Sequence, residues 1–131
     1  MYIQKNLNPA NKQVGDCVIR AISIMTDMSW DCVYMGLCTE GYTMYDMPSS
    51  NAVWGAYLTD KGYKRYIIPN TCPNCYSVQQ FCMDYPKGKY LLATGNHAVT
   101  VIDGDYYDSW DSGEEVPIYL YTKDAMNNEL Y

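Results

Sequence analysis

The chain has a single histidine, a single phenylalanine and no apolar run long enough to cross a bilayer. Its longest apolar stretch, Cys17 to Met25, is broken by Arg20 and Ser23 and is about half the ~20 residues that a membrane helix needs. No membrane span is expected. Basic residues are also scarce: nine Lys and Arg stand against fifteen Asp and Glu, for a formal charge of −6. That leaves no positive surplus to displace counterions from a phosphate backbone, and nucleic acid is not an expected partner. Met1 to Gly15 is polar and Asn-rich, without the basic start, apolar middle and small-residue end of a secretion signal. The expectation is a cytoplasmic, reducing setting, in which the six cysteines are thiols and not a disulfide framework. No repeat, linker or low-complexity tract divides the chain. Its 131 residues, 48% of them hydrophobic, read as one soluble domain, 1–131, with an ordinary core.

What the chain does have is tyrosine, which supplies fifteen of its rings against three from Trp and one from Phe. Tyr can half-bury its ring and keep its hydroxyl wet, which suits a thin core or a surface that meets a partner. The pattern along the chain is helices first and strands later. Val18, Ala21, Ile22 and Met25 recur as one helical stripe beginning at Asp16 or Cys17. Ser29 can cap a second helix whose face is Trp30, Val33, Tyr34 and Leu37, with Gly41 just past its end. Ser49 or Ser50 can cap a third, through Val53, Trp54, Tyr57 and Leu58 to Gly62. A β-rich run from Tyr63 to Ile68 follows. Ser77 with Gln80 then forms a capping box for a fourth helix, which stops before Pro86. Tyr90 to Thr94, Ala98 to Ile102, Tyr106 to Trp110 and Val116 to Tyr121 read as successive antiparallel strands. The expected class is α+β, with N-terminal helices packed on a C-terminal antiparallel sheet.

The lone histidine, His97, opens the strand that leads to Asp103-Gly104, the strongest short hairpin signal. With a two-residue loop His97 faces Trp110 and Val99 faces Asp108, which makes Asp108 a diagonal neighbour of His97 at roughly 7–8 Å between backbones. A three-residue loop would set Asp111 opposite His97 instead. The first register is preferred because it gathers His97, Val99, Val101, Tyr106, Asp108 and Trp110 on one face to be buried. The matching nucleophile is Cys17, in the first turn of helix one, where unpaired amides and the helix dipole favour a thiolate. If that helix packs on the hairpin, His97 can take the Cys17 proton while Asp108 fixes the tautomer, and amides near Cys17 can bind an oxyanion.

Gly15-Asp16-Cys17 with its following helix, Asn96-His97-Ala98-Val99 opening a strand and Tyr107-Asp108 ending the next resemble papain-like cysteine peptidases. Within these, the chain is similar to small phage and bacterial relatives of the peptidases that process bacteriocin leaders, with a GDC-x-x-RAI start and an H-x-x-x-V-I-D-G…YDSWD end. The resemblance implies a papain-like fold and a Cys17-His97-Asp108 triad acting on a peptide or protein, without a cofactor or metal. It departs from the family pattern where a Gln six residues before the nucleophile helps form the oxyanion hole. That place is Asn11 here, with Gln13 four residues before Cys17, and Val18 stands where the leader-processing enzymes have a small Gly.

Other cysteines are read more plainly: Cys32, Cys38 and Cys82 as core or helix-surface thiols, and Cys72-Pro-Asn-Cys75 as a turn. A second pair of metal ligands at fixed spacing is absent, and Cys82 with His97 could complete a zinc site only by removing the catalytic histidine. The acidic residues Asp103, Asp105, Glu114 and Glu115 are expected to be solvated turn residues. The expected function is a thiol hydrolase or acyl transferase acting at a peptide or isopeptide bond. The rival, from another class, is a non-catalytic acidic interaction protein on the same scaffold, which binds and blocks a partner protein.

Overall fold

The computed structural model describes residues 1–69 and 73–124. A short strand opens the chain, three helices follow, α1 Cys17–Thr26, α2 Trp30–Met44 and α3 Asn51–Asp60, and after a second strand comes the fourth, α4 Val78–Asp84. Six strands, β1 Tyr2–Gln4, β2 Lys64–Ile67, β3 Lys89–Ala93, β4 Ala98–Ile102, β5 Asp105–Asp108 and β6 Tyr119–Thr122, form one sheet in the order β1-β5-β4-β3-β6-β2. The protein is α+β, and among the described residues no helix is long and apolar enough to cross a membrane.

A serine precedes three of the helices, and at two of them its side chain caps the start. Ser29 and Ser77 each accept a backbone N–H from the third residue on, Cys32 and Gln80, and Ser50 is the residue before α3. The expected end of α2 before Gly41 is corrected: the helix continues to Met44, and Tyr45 takes the left-handed conformation instead. Gly41 is needed for close approach, because a Cβ there would lie 2.7 Å from the Asp46 carbonyl as the chain folds back.

The sheet is also corrected, from antiparallel to mixed. β3, β4 and β5 do form the expected antiparallel meander, but β6 leaves it to pair with β3, and β1, from the polar lead, closes the β5 edge in parallel. Seated between β3 and β2, β6 is buried at every position. Asp103 and Gly104 both have positive φ, which gives the hairpin its tight two-residue turn, and Val101 pairs with Tyr106 as that loop length requires.

Alternation along the strands divides the core in two. Leu91, Ala93, Ala98, Tyr119 and Tyr121 pack with Ile22, Leu37, Trp54 and Leu58 of α1–α3, whereas Leu92, Val99, Val101, Tyr106 and Leu120 pack with Val78 and Phe81 of α4. The valine face is thus covered by α4. Helix α1 lies on the other face, where Thr100 Oγ1 donates to the Ala21 carbonyl. The Ala98 amide meets the Cys17 sulfur. Four helical residues rise about 6 Å and two strand residues about 6.6 Å, so these two contacts make α1 run alongside β4 in the same direction. That alignment brings the start of α1 to the start of β4.

Candidate active site

Cys17 is the first residue of α1, preceded by Asp16 at the cap position. The Asp16 side chain does not cap the helix. It accepts instead from Arg20 Nε at 2.8 Å, Trp30 Nε1 at 2.9 Å and Asn8 Nδ2 at 3.1 Å. The first-turn amides of α1, including that of Cys17, are therefore left without this side chain and can serve an anion at the helix start.

His97 lies just before β4, and its Nε2 is 2.6 Å from Asp108 Oδ2. With Nε2 engaged, Nδ1 is the nitrogen left for the Cys17 thiol, with which the ring is hydrogen-bonded. Trp110 follows β5 and lays its ring against His97, centroids 4.9 Å apart. Asp108 is almost fully buried and has two partners on each oxygen. Oδ2 faces His97 and accepts from Ser112 Oγ, and Oδ1 accepts from Arg20 Nη1 and the Ser109 amide. Asp111, the alternative acid, accepts from the Tyr106 hydroxyl and the Gly113 amide.

The electrostatics follow from these contacts. Burial pushes the Cys17 thiol up, but the His97 ring, the Ala98 amide and the Arg20 charge outweigh it and hold the thiol below its ordinary value. Burial would lower His97; the Asp108 carboxylate and Cys17 instead raise it to about 9. Burial likewise opposes ionisation of Asp108, and the bonds from His97, Ser112 and Ser109 keep its carboxyl below the usual value. All three shifts favour a thiolate beside an imidazolium, the reactive form of a nucleophilic thiol.

A cleft of about 890 Å³ opens beside Cys17 and His97, between the α1 start, α2, α3 and the β3–β4 loop. Its wall is largely aromatic and aliphatic, with Trp30 stacked on Tyr34 and with Val18, Leu37 and Trp54. Gly15 and Gly95, two residues before Cys17 and His97 respectively, line the cleft and have open space where a Cβ would be.

Cys17, His97 and Asp108 are thus brought together. Asn11 and Gln13, the candidate oxyanion side chains, are exposed and do not line the cleft. Cys72 lies outside the described residues; Cys75 is an exposed free thiol, and Cys82 is a buried one pushed up to about 11 by its burial. Among the described residues no three His, Cys, Asp or Glu side chains converge as a metal site. The sequence reading missed Asp16, Arg20 and Ser112. The signal for the first two was Arg20 itself, a charge interrupting the apolar stretch Cys17 to Met25, which can be buried there only with partners. Comparison with protein-family models, curated proteins and solved structures finds no match to the chain in any of the three.

Proposed function

We propose that this protein is a papain-like cysteine peptidase, or a related thiol acyl hydrolase or transferase, acting at a peptide or isopeptide bond. The observation that carries the reading is the continuous chain from Cys17 at a helix start, through His97, to Asp108 Oδ2 at 2.6 Å, opening on a cleft large enough for a peptide segment. The Cys17 thiolate attacks the carbonyl carbon, and the developing oxyanion turns to the amides at the start of α1. The His97 imidazolium gives its proton to the leaving amine as the C–N bond breaks, leaving a thioester on Cys17. His97, now neutral, takes a proton from the incoming water or acceptor amine, which displaces the thiolate and closes the cycle. Asp108 holds the ring and stays ionised throughout. The apolar wall of the cleft favours a substrate with bulky apolar side chains near the scissile bond.

The test is competitive labelling with iodoacetamide near neutral pH, read by mass spectrometry, followed by cleavage of a peptide library. Cys17 is expected to react first, and wild type but not Cys17→Ala to cleave. Cys17 labelling no faster than the exposed Cys32, with no cleavage, would remove the enzyme and favour a non-catalytic binder on the same scaffold.

A further inference from the structure

We propose that Arg20 is a positioning residue of this site: its single buried guanidinium ties Asp16, at the start of the helix that carries Cys17, to Asp108, the carboxylate that holds His97. The roles of Cys17 and His97 rest on the function proposed above. Arg20 is only 7% exposed. Its Nε donates to Asp16 Oδ1 at 2.8 Å, and its Nη1 donates to Asp108 Oδ1 at 3.1 Å and to Ser109 Oγ at 2.9 Å. One planar fork therefore spans two elements that the chain separates by most of its length, the α1 start and the end of β5.

Two consequences follow for the reacting pair. Mechanically, Arg20 and the Ser109 amide occupy Asp108 Oδ1, so that Oδ2 is the oxygen turned to His97. The carboxylate cannot rotate without breaking bonds on both oxygens. Electrostatically, Arg20 offsets Asp16, a carboxylate adjacent in sequence to the thiol that has to ionise. The charged and titratable groups around Cys17 are Asp16 and Arg20 from the α1 start, His97 just before β4, Asp108 at the end of β5, and Lys12, Asp31 and Tyr34 on the cleft wall. Of the cations, Arg20 is the one paired with both buried carboxylates. A buried ionic bridge of this kind is a weak source of stability, since apolar side chains of similar volume often serve as well or better. What a well-packed apolar replacement would not keep is the geometry of Asp108 and the balance of charge at Cys17.

The experiment compares wild type, Arg20→Met and Arg20→Lys by the pH dependence of iodoacetamide labelling between about pH 5 and 9. In each digest Cys17 is normalised to the exposed Cys32, and the buried Cys82 reports any loss of fold. In Arg20→Met, Cys17 is expected to label about tenfold more slowly relative to Cys32 on the acid limb, which is a one-unit rise of its apparent pKa. Arg20→Lys, which keeps the charge but reaches one carboxylate at a time, shifts the limb the same way by less. If Arg20→Met exposes Cys82, the lysine variant decides. A selective wild-type Cys17 whose pH profile is unchanged in a folded Arg20 variant would overturn the role of Arg20 and leave the proposed activity standing. A wild-type Cys17 that labels like Cys32 would remove the proposed activity, and this role with it.

Discussion

Trp110 covers one face of His97 while remaining 46% exposed itself, its ring tilted 40° to the imidazole. The contact places an optical reporter beside the imidazole. Because His97 is the chain's one histidine, its titration can be read without assignment. Its carbon-bound ring proton is expected to titrate in NMR with a midpoint near 9. Imidazolium quenches indole fluorescence, so emission should rise as pH passes that midpoint, and this rise should be lost in Trp110→Phe. A midpoint near 6.5 would show that Asp108 does not hold the protonated ring.

The same pairing makes stability depend on pH. His97 has a folded value of about 9 against 6.5 unperturbed, so its protonated form stabilises the fold. That contribution is complete below 6.5 and is lost as pH rises through about 9. The urea midpoints of wild type and His97→Gln should therefore lie furthest apart in mild acid and converge as pH passes about 9. Asp108 has the opposite sign: its contribution is present above 3.8 and lost as pH falls through its lowered folded value. A gap between wild type and His97→Gln that widened with pH would contradict the assigned charge.

Asp108 and Asp111 should separate cleanly. Asp108→Ala removes the acceptor of the His97 N–H and one partner of Arg20, and turnover is expected to fall by on the order of 10³-fold or more. Asp111→Ala removes only the contacts to Tyr106 and Gly113 and should alter turnover less than about threefold. The measurement is kcat/KM of both variants on one peptide substrate; the reverse ranking would reassign the acid.

Cys17→Ala should abolish turnover while changing stability by no more than about 1 kcal/mol, because a half-buried thiol at a first turn contributes little area. Melting and activity measured on the same sample separate the two. Residual turnover equal to wild type would sink the nucleophile.

Thr100→Val tests the docking of α1. It deletes the buried bond from Oγ1 to the Ala21 carbonyl at nearly constant volume, and about 1 kcal/mol of stability should be lost. With the helix still held by apolar contacts, Cys17 should keep its labelling preference. A loss of that preference would mean that this one bond sets the height of Cys17 against His97.

Much of the local structure was legible in the sequence because it is decided over a few residues. The capping serines set helix starts, the periodic stripes set buried faces, and Asp103-Gly104 set the hairpin register that places Asp108 and Trp110 near His97. Cys17, His97 and Asp108 could be named for that reason: each stands at a start or end of an element whose signals are local. Three features were not legible, and each depends on which distant segments meet. β1 joins β5, β6 crosses to β3, and α1 packs on the Ala98–Thr100 face and not on the valines. Alternation tells which residues share a face, not which element covers it, and a strand edge accepts any partner that completes its hydrogen bonds. The bridge from Asp16 through Arg20 to Asp108 belongs with these. Sequence could require that a charge interrupting the apolar stretch Cys17 to Met25 find partners once buried, but only the packing of α1 along β4 decided that one of them would be the carboxylate holding His97.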